Sequence, residues 1–530
     1  MSIYAKVAAG VPQSEPIPGR EAEMERNAAG GYVFTLDVWD RLDRFLILGT
    51  EGGTYYAGER EHTQQAIRSL DEALQIDPLR VVARVTQVSR EGLGIRNDAA
   101  IFALAKALKC GSLEARRAAA EQVPVVCRIG THLFQLAADL EALGGWGRLT
   151  KRAVAAWYET MPSDRLAYQL VKYRQRDGWA HRDLLRLSHP TAVGPNSGLL
   201  AWVAGKGGAL SGIVHGYLQA QAATDPKVVA KLVREYDLPR ETIPPEFLKS
   251  AVVWEALLER MPLTAMVRNL ATMTRVGLLG PMSTGAGQVV SVLGDSERLR
   301  KSRVHPMALY LALRTYAAGQ GVRSRDATWE PNQRIVDALQ DAFYGSFRNA
   351  PSTGKRVLVG VDVSGSMGAP ISGMVGVSAG MAAAAQALVL RRTEPNFELI
   401  GWDTGVVPLR ITEHTRLSDI EKQVGGGGGT DMGVPYRVAQ GLPGGLDGVI
   451  VLTDNETWAG QTHASMELDK LRRRDGRPVM NVNVAMTATR GGGDPRDAGT
   501  LQVVGFDQTV PEAVRRFLGD TAPTEAVGEA

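Results

Sequence analysis

The spacing of apolar residues changes near residue 351, and this change limits the possible folds more than any other feature of the sequence. Before it, apolar residues recur three or four positions apart, a period typical of amphipathic helices packed on a core. After it, short apolar runs alternate with helix-like segments, which predicts a parallel sheet covered by helices. A chain of 530 residues is also too long for one core. We therefore predict an α + α/β protein, helical in its first part and α/β in its second.

The part before residue 351 predicts an array of short helices joined by short loops. We find no alternating strand pattern of useful length there and no fixed repeat period. Short helices are stable when neighbours bury each other's apolar faces, so we expect a helical-repeat array. The segments with the clearest helical spacing are Glu61–Ile76, Asp98–Leu108, Leu113–Ala120, His132–Leu143, Arg148–Met161, Pro245–Met261 and His305–Ala318.

The part after residue 351 contains apolar runs typical of buried strands, and several of them end in an aspartate. Parallel sheets of this kind bind ligands at the carboxyl ends of their strands. Asp362 and Asp454 are therefore expected at the ligand-binding edge. The predicted strands are Arg356–Asp362, Phe397–Asp403, Gly448–Asp454 and Val479–Met486, and the predicted helices are Ile371–Arg392, Met432–Gln440 and His463–Arg474.

Charge and cysteine content exclude several classes of protein. The net charge of +3 rules out a uniformly basic nucleic-acid-binding coat and leaves room for a local basic patch. Residues 1–350 hold 43 basic and 36 acidic side chains, whereas residues 351–530 hold 17 and 21, so the two parts are expected to have different partners. The only cysteines, Cys110 and Cys127, exclude a disulfide scaffold and a cysteine-cluster metal site, and they fit a reducing cytoplasm.

Neither a signal peptide nor a membrane span is expected from the sequence. The N-terminal residues lack an apolar core of signal-peptide length. The uncharged stretches Val276–Gly294 and Ile371–Leu390 are rich in small residues and less apolar than a spanning helix, so we expect buried helices there.

A metal site is predicted at the carboxyl ends of the strands. Asp362, Ser364 and Ser366 alternate along the loop after the first strand, so their side chains can converge on one point. Thr430 follows five glycines, which predict a flexible loop, and a third strand end provides Asp454. Carboxylates, hydroxyls and water form an oxygen-only set that suits Mg²⁺, or alternatively Mn²⁺, whereas zinc is not expected without histidine or cysteine.

These five residues resemble the metal-ion-dependent adhesion site of von Willebrand factor A domains, in which Asp-x-Ser-x-Ser precedes a threonine and then an aspartate. The resemblance implies that the hydroxyls ligate the metal directly. It also implies that the aspartates often act through water. It also implies one open coordination position for a partner's carboxylate. Two roles stay open here, because the metal either recruits a ligand or only organises the loops.

A Gly-x-Ser-x-Gly motif at Gly376, Ser378 and Gly380 is the strongest argument for an enzyme. A nucleophile elbow needs this serine on a sharp turn between a strand and a helix. Here the motif lies within the helix-like segment Ile371–Arg392, where small residues favour close packing of the helix on the sheet. We find no other set of residues with the spacing of an active site and predict that the protein is not an enzyme.

The helical part contains a basic cluster from Lys172 to His189, KYRQRDGWAHRDLLRLSH. Lys172 and Arg176 are four residues apart, which predicts that they share a helix face. Tyr173 and Trp179 are aromatic residues of the kind that stacks on unpaired bases. The alternative to nucleic-acid binding is a solvated face above core aromatics.

A second helix is expected in the latter half of this cluster. On it, Arg182, Arg186 and His189 fall within one arc, and Leu184 and Leu187 lie opposite. A basic stripe above an apolar stripe is typical of a helix that packs inward and presents cations to phosphates.

The basic cluster resembles the most characteristic stretch of the Ro family, ring-shaped Y-RNA-binding proteins that carry a TROVE domain. The resemblance extends over nearly the whole chain, from about Tyr32 to Phe517. The other segments that carry it are RFLILGTEGGTYY (Arg44–Tyr56), VCRIGTHLF (Val126–Phe134), RMPLTAMVRNLATMT (Arg260–Thr274), VHP (Val304–Pro306), WEPNQRIVDALQDAFYGSF (Trp329–Phe347), TGKRVLVGVDVSGSM (Thr353–Met367) and TDNETWAG (Thr453–Gly460).

This resemblance implies a plan for the whole chain. Helical HEAT-like repeats would form a monomeric ring, which a C-terminal von Willebrand factor A-type (Rossmann-like) domain helps to close. The implied divisions are an N-terminal arm at residues 1–31, a TROVE helical-repeat domain at residues 32–350 and a von Willebrand factor A-like domain at residues 351–530.

The resemblance also implies a function in RNA quality control. Family members bind Y RNA on a basic outer surface and accept single-stranded 3′ ends of misfolded noncoding RNAs through the central hole. Bacterial relatives are associated with exoribonucleases such as polynucleotide phosphorylase. In these relatives, Y RNA tethers the nuclease to the protein. The positions that match the family's RNA contacts are Lys172, Arg176 and His189, with Arg174, His181 and Arg182 as neighbours.

The main alternative is a metal-dependent scaffold for protein interactions. In it, the open metal position binds an acidic partner and the helical array only supports that site. Partner binding would then be abolished by a chelator and indifferent to ribonuclease.

Overall fold

Backbone contacts divide the chain into two compact units. One comprises Met1–Ser69, His305–Leu311 and Phe343–Ala530, and the other comprises Leu70–Val304 and Ala312–Ala342. The computed structural model describes residues 10–50, 59–94, 96–191, 194–207, 212–302, 304, 306–321, 327–346, 352–371, 377–412, 415–420, 422–424, 427–489, 491–494, 496–505 and 510–519.

The secondary structure follows the predicted division into helical and α/β parts. The helices are α1 (Val38–Leu48), α2 (Glu59–Ile76), α3 (Pro78–Glu91), α4 (Asp98–Ala107), α5 (Leu113–Val126), α6 (Gly130–Ala142), α7 (Arg148–Thr160), α8 (Ser163–Lys172), α9 (His181–Ser188), α10 (Ser197–Val203), α11 (Gly212–Ala222), α12 (Pro226–Tyr236), α13 (Ala251–Leu258), α14 (Leu263–Arg275), α15 (Thr284–Gly294), α16 (Ser296–Ser302), α17 (Pro306–Ala317), α18 (Gln333–Gly345), α19 (Ala379–Thr393), α20 (Leu417–Ile420), α21 (Val434–Gly441), α22 (Ala464–Asp475) and α23 (Val510–Gly519). The strands are β1 (Met24–Arg26), β2 (Tyr32–Thr35), β3 (Gln175–Arg176), β4 (Trp179–Ala180), β5 (Val357–Asp362), β6 (Phe397–Trp402), β7 (Val406–Val407), β8 (Gly448–Thr453), β9 (Met480–Ala485), β10 (Gly491–Gly492) and β11 (Thr500–Val504).

The helical unit is an array in which alternate helices pack on each other. Helix α3 packs on α5, α5 on α7 and α7 on α9, while α4 packs on α6. Side-chain caps fix where helices begin, because Asp77 and Ser112 accept hydrogen bonds from the first-turn amides of α3 and α5. Trp157 and Trp254 are fully buried between helices. The apolar faces are therefore buried by neighbouring helices, as the spacing predicts.

The α/β unit is built on a six-stranded sheet with the order β11–β9–β8–β5–β6–β7, parallel except for β7. Every residue of the central strands β5 and β8 is buried, which explains why both are uninterrupted apolar runs in the sequence. Leu358, Tyr436, Val451 and Leu468 belong to a core cluster between the sheet and helices α21 and α22. This core fixes the strand ends that carry the predicted metal site.

The N-terminal residues belong to the α/β unit, which differs from the predicted division into an arm and a helical domain that begins at residue 32. Strands β1 and β2 pair antiparallel, with Met24 opposite Phe34, and β2 also pairs with β10. Ile17, Met24 and Phe34 form a small core against Met466 of α22. The segment is held by this apolar contact and by strand pairing, neither of which has a local signature in the sequence.

The predicted strands of the α/β part are confirmed to within one residue at each end, and most predicted helices of the helical part are confirmed to within two residues. The helix predicted at Leu113–Ala120 extends to Val126, and the one predicted at Pro245–Met261 is reduced to a 3₁₀ turn and α13 (Ala251–Leu258). Two helices begin later than predicted, α15 at Thr284 and not at Val276, and α19 at Ala379 and not at Ile371. Strand β11 was not predicted. In the part of the chain that the structure describes, no helix combines the length and apolar composition that a membrane span needs.

Candidate metal centre and basic strip

The carboxyl end of β5 places Asp362 between two neighbouring strands. The side chain is fully buried. One carboxylate oxygen accepts a hydrogen bond from the Thr453 hydroxyl at the end of β8, at 2.6 Å, and the other accepts from the Ser364 amide at 2.9 Å. These two bonds hold the Asp362 carboxylate in one orientation.

The two serines of the motif lie together in the loop after β5. Both side chains are buried, and the Oγ atoms of Ser364 and Ser366 are 3.1 Å apart. The alternating spacing therefore brings their hydroxyls to one point next to Asp362, as the sequence predicts.

The loop that carries Thr430 is fixed through its backbone. The Thr430 carbonyl accepts hydrogen bonds from the amides of Trp458 at 3.0 Å and Ala459 at 2.9 Å. The Thr430 side chain is fully buried, yet its hydroxyl has no hydrogen-bond partner among the described residues. A buried polar atom without a partner costs about 1–3 kcal/mol, so this orphaned oxygen indicates a missing ligand.

The glycines before Thr430 make close contacts and do not form the loose loop that the sequence predicts. A Cβ atom at Gly427 would lie 2.2 Å from the Val363 carbonyl, and one at Gly429 would lie 2.4 Å from the Trp458 ring. Gly365 donates to the carbonyl of Gly428 at 3.2 Å. Only glycine permits this approach of one loop to the other. The first two glycines of the run, Gly425 and Gly426, lie outside the described residues.

Asp454 approaches the site from the end of β8. It is buried, and one carboxylate oxygen accepts from the Glu456 amide at 3.0 Å. Its carbonyl accepts from the Thr489 hydroxyl at 2.7 Å. The loop that follows β8 is thereby fixed on both sides of this carboxylate.

The electrostatics of the site favour a cation. Burial and the neighbouring Asp454 hold the pKa of Asp362 well above its usual range, and burial also raises the pKa of Asp454. Two carboxylates in one buried site are unfavourable as anions unless a positive charge lies between them. The described residues contain no group of three or more His, Cys, Asp and Glu side chains that could hold a metal ion, so any metal here depends on the hydroxyls as well.

The donor set fits a hard divalent cation. It consists of oxygen atoms only, and it includes one hydroxyl, that of Thr430, which nothing in the described protein satisfies. The residues that could hold Mg²⁺ or Mn²⁺ are Asp362, Ser364, Ser366, Thr430 and Asp454.

Two supporting residues of this site were missed from the sequence. Thr453 holds the Asp362 carboxylate, and the Asp403 carboxylate accepts from the Gly428 amide at 3.0 Å. Thr453 ends β8 and Asp403 directly follows β6, at the sheet edge where ligands bind. That position is the signal that could have identified them.

Ser378 of the Gly-x-Ser-x-Gly motif is the N-cap of α19 and does not lie inside the helix. Its hydroxyl oxygen accepts from the Met381 amide at 3.2 Å. A cap of this kind has a structural role at the start of the helix. Gly376 lies outside the described residues.

The basic cluster of the helical unit begins at the C-terminal end of α8. Lys172 is the last residue of that helix, and its ammonium donates to the Tyr168 hydroxyl at 3.0 Å and lies 4.0 Å from the Glu241 carboxylate. Only 14% of its side chain is exposed. Lys172 is thus more enclosed than its neighbours.

Arg176 does not share a helix face with Lys172, which corrects the sequence-based prediction. The chain leaves α8 and forms a two-residue hairpin, β3–β4, in which Arg176 pairs with Trp179. The turn residues Asp177 and Gly178 both have positive φ, at 52° and 80°. An Asp-Gly turn with this geometry is a strong hairpin signal, and it interrupts the helical spacing.

The exposed cations of the cluster form what we call the basic strip, namely Arg174, Arg176, Arg182, Arg186 and His189. Arg174 donates to the Tyr217 hydroxyl at 2.6 Å, which orients its guanidinium. Arg182 and Arg186 lie on the exposed side of α9, whereas Leu184 is fully buried, as predicted. His189 ends this helix with a φ of 47°.

The two tryptophans near this strip contact each other. The rings of Trp146 and Trp179 are 5.7 Å apart at a tilted angle, and both are partly exposed. Tyr173 is also partly exposed, and its ring centroid lies 5.3 Å from the Lys172 ammonium. The aromatic residues therefore border the strip without being enclosed in the core.

His181 is a core residue, and its burial does not fit its predicted contact with RNA. Only 3% of it is exposed, and its Nδ1 lies 2.9 Å from the Tyr158 hydroxyl. Phe134 and Trp157 pack against the ring, at centroid distances of 4.7 and 6.1 Å. Burial lowers the pKa of His181 to about 4. A neutral, enclosed imidazole cannot reach a phosphate at the surface.

Comparison with known families agrees with both parts of this description. The TROVE domain family matches residues 25–204 and 235–315, and the Ro60 vWA domain family matches residues 356–518. The first match covers the basic strip, and the second covers all five residues of the candidate metal centre.

Individual proteins resemble the chain over almost its full length. It is 39% identical to a protein named RNA-binding protein RO60 from Deinococcus radiodurans, over 96% of this chain and 97% of that protein. It is 31% identical to a protein of the same name from Caenorhabditis elegans, over 94% of this chain and 90% of that protein. The crystal structure of the Deinococcus radiodurans RO (RSR) protein superimposes with a TM-score of 0.70 and 37% identity, over 91% of this chain and 99% of that one.

Proposed function

Because this chain belongs to the Ro family of TROVE-domain proteins, we propose that it is an RNA-binding protein of noncoding-RNA quality control. Relatives that match nearly the whole chain carry the name RNA-binding protein. In this proposal, a Y RNA binds to the basic strip, and no RNA is cleaved by the protein itself.

The observation that carries the proposal is the exposure of the cations at the predicted positions. Arg174, Arg176, Arg182 and His189 are all exposed, within a stretch of 16 residues (174–189). Arginine pairs with phosphate oxygens through two parallel hydrogen bonds, and each neutralised phosphate releases counterions. A concentrated strip of this kind binds RNA even though the chain as a whole carries a net charge of only +3.

We propose a second RNA site in the hole of a monomeric ring formed by the helical repeats. A narrow hole admits a single strand and excludes a duplex, so a misfolded noncoding RNA with an unpaired 3′ end is selected by shape. An exoribonuclease such as polynucleotide phosphorylase would then degrade or trim the RNA in the cytoplasm. The support for this step is the family membership alone.

We further propose that Mg²⁺ occupies the candidate metal centre, with Mn²⁺ as an alternative. Its support is the oxygen-only donor set and the unpartnered hydroxyl of Thr430. Bound there, the cation would neutralise Asp362 and Asp454 and hold together the loops after β5 and β8. The proposed role of the metal is therefore structural organisation.

Sequencing of RNA crosslinked to the purified native protein tests the function directly. We expect enrichment of a small structured RNA and of noncoding RNAs with unpaired 3′ ends. Crosslinks should map to the strip around Arg176 and Arg182. Recovery of no RNA above the background of a matched protein purified in the same way would contradict the proposal.

A metal-dependent scaffold for an acidic protein partner is the second candidate. Its support is the same unpartnered Thr430 hydroxyl, which a metal would satisfy, together with the open coordination position that the resemblance to von Willebrand factor A domains implies. Affinity purification with and without chelator or ribonuclease separates the two functions. Partners released by chelator alone support the scaffold, and partners released by ribonuclease alone support the RNA-binding function.

A further inference from the structure

A cavity of about 340 Å³ lies in the α/β unit, and none of the five residues of the candidate metal centre lines it. Strand β2, helix α22 and the strands β9 and β11 line it. Its volume is within the range of small-molecule sites, which begins at about 300 Å³. Nothing in the proposed RNA-binding function uses this cavity.

The lining of the cavity combines apolar and aromatic side chains with many polar ones. Tyr32 and Phe34 of β2 form one side, and Tyr436 and Leu468 contribute to the other. Tyr436 is nearly fully buried and is fixed by a hydrogen bond from its hydroxyl to Asn481 at 2.9 Å. The Arg20 guanidinium covers the Phe34 ring, with its carbon 4.4 Å from the ring centroid, so the partly exposed Tyr32 is the aromatic side chain that favours a flat ring as the ligand.

The cavity also contains a polar side chain that the protein leaves unsatisfied. Asn483 is only 1% exposed, and neither its amide oxygen nor its amide nitrogen has a hydrogen-bond partner among the described residues. Its neighbour along β9, Asn481, uses both amide groups. The Asn481 oxygen accepts from the Tyr436 hydroxyl at 2.9 Å, and the Asn481 nitrogen donates to the Thr500 hydroxyl at 3.2 Å. The contrast shows that Asn483 has an unused donor and an unused acceptor side by side.

Gly493 passes directly over this amide. A Cβ atom at position 493 would lie 2.5 Å from the Asn483 side-chain nitrogen. The close passage of the backbone keeps bulk water away from the amide. Hydrogen bonds to a ligand would therefore form in a dry site, where they discriminate most strongly.

The charged groups of the cavity mostly neutralise each other. Arg472 pairs with Asp497 at 2.8 Å, and Arg20 pairs with Asp494 at 2.8 Å. Asp469 is exposed, on the same helix as Arg472, and makes none of the ion pairs found among the described residues. This balance favours an uncharged ligand with hydroxyl groups at the side of Asp469.

We propose that this cavity binds an adenosine nucleoside. An asparagine amide matches the N6 and N7 edge of adenine, donating to N7 and accepting from the N6 amino group. Tyr32 stacks on the purine, and the Asp469 carboxylate accepts hydrogen bonds from the ribose hydroxyls, as acidic residues do in other nucleotide sites. Guanine presents two acceptors on the same edge, so it leaves one group of Asn483 unmatched.

Calorimetric titration of the full chain with adenosine, guanosine and uridine is the first test. We expect adenosine to bind at least about tenfold more tightly than the other two, because one bidentate pair discriminates by about 1–3 kcal/mol. Absence of binding up to millimolar adenosine, or equal affinity for all three nucleosides, would overturn the proposal.

Asn483→Ala should lower the affinity for adenosine about tenfold or more. The matched control is Gln386→Ala, since Gln386 of α19 also has a buried, unpartnered amide but does not line the cavity. The control should keep the wild-type affinity. If Asn483→Ala also keeps it, the site assignment is wrong.

Asp469→Ala is a second, exposed variant that does not endanger the fold. It should weaken adenosine binding several-fold and leave the binding of 2′,3′-dideoxyadenosine unchanged, because that analogue lacks the hydroxyls. An equal loss for both ligands would contradict the role of Asp469. Displacement of adenosine by a single-stranded RNA that ends in adenosine would identify an RNA end as the natural ligand of the cavity. Lack of displacement would identify the free nucleoside as that ligand.

The proposal is independent of RNA binding at the basic strip. Asn483→Ala should retain the RNA affinity of the wild type in a gel-shift titration. Failure of adenosine binding therefore leaves the proposed function standing, and failure of RNA binding leaves the nucleoside site standing.

Discussion

The guanidinium of Arg44 contacts the side-chain amide of Asn455, the residue directly after the metal-site carboxylate Asp454. With the amide oriented to satisfy both groups, its oxygen accepts from two guanidinium nitrogens at 3.0 and 3.3 Å. Arg44 is 1% exposed and also donates to the carbonyl of Thr489 at 3.2 Å. Burial lowers the pKa of Arg44 to about 10, so it stays charged at neutral pH. Helix α1 thus supports the loop that positions Asp454.

Arg44→Met should destabilise the α/β unit by about 2–4 kcal/mol, because it leaves the Asn455 amide and the Thr489 carbonyl buried without a partner. It should also reduce the stabilisation that Mg²⁺ gives, since the Asp454 loop loses its support. Chemical unfolding with and without Mg²⁺ measures both effects.

The matched control for Arg44 is Arg41→Met on the same helix. Arg41 is partly exposed and donates to the carbonyl of Leu36 at 2.8 Å. We expect a loss of about 1 kcal/mol or less and an unchanged effect of Mg²⁺. Equal behaviour of the two variants would show that Arg44 has no particular link to the metal loop.

Thr430→Val tests the metal centre most sharply. The variant keeps the side-chain shape and removes a hydroxyl that has no partner among the described residues. With chelator present, its melting temperature should equal that of the wild type or exceed it slightly. With Mg²⁺ present, the wild type should gain about 3 kcal/mol at a hundredfold excess over Kd, and the variant should gain much less.

Two further variants make this result interpretable. Asp362→Ala should abolish the Mg²⁺ dependence of thermal stability altogether. Thr453→Val removes a hydroxyl that donates to Asp362 at 2.6 Å, so it should destabilise the protein with chelator as well. A wild type that melts identically with Mg²⁺ and with chelator would rule out metal occupancy.

The sequence was sufficient to predict that the residues of the candidate metal centre lie together, because they lie at or directly after strand ends. Strands β5 and β8 are buried on both faces, so they appear as apolar runs and their ends can be located to one residue. Asp362 and Asp454 then fall at one edge of the sheet. The support from Arg44 was not predictable, since that contact joins residues 44 and 455 and depends on the tertiary fold alone.

The basic strip was predicted less well, for two physical reasons. A four-residue separation between Lys172 and Arg176 fits a helix, and a hairpin of two-residue strands is too short to show a period of its own. The Asp177–Gly178 turn was the available signal. The burial of His181 is likewise invisible locally, because its cage comes from α6 and α7.

Arg176→Ala combined with Arg182→Ala should weaken binding of a structured RNA about fivefold or more. The slope of log affinity against log salt should decrease by about one for each phosphate that the variant no longer neutralises. Lys172→Ala combined with Arg176→Ala should also weaken binding several-fold, but less than the first pair, because Lys172 is only 14% exposed and is held by Tyr168 and Glu241. Gel-shift titrations at several salt concentrations measure both quantities.

Arg298→Ala combined with Arg300→Ala is the control for the strip. These arginines of α16 are 59% and 60% exposed and lie in the same helical unit, paired with Asp295 and Glu297. The control should change neither affinity nor salt slope. Equal effects of the control and of the strip variants would mean that RNA binding depends on general surface charge.

His181→Gln should make the protein less sensitive to acid. The pKa of His181 in the folded chain is about 4, below its ordinary value of 6.5, so the unfolded chain binds the proton more readily and stability falls as pH decreases from about 6.5 to 4. The variant lacks this imidazole. The difference in the free energy of unfolding by which it is less stable than the wild type should therefore shrink by roughly 2–3 kcal/mol between pH 7.5 and pH 4.5. Urea unfolding at both pH values measures the difference.

The exposed His189 provides the matched control, because His189→Gln removes an imidazole from the same segment without touching the core. That variant leaves His181 in place, so it should retain the loss of stability that His181 causes in acid, and it should lose part of the RNA affinity. His181→Gln should do the reverse, retaining RNA affinity at neutral pH because its ring lies beneath the surface beside Tyr158. If His181→Gln lost RNA binding while its stability deficit stayed constant with pH, the imidazole would have to be reachable by RNA, and the buried position described for it would be wrong.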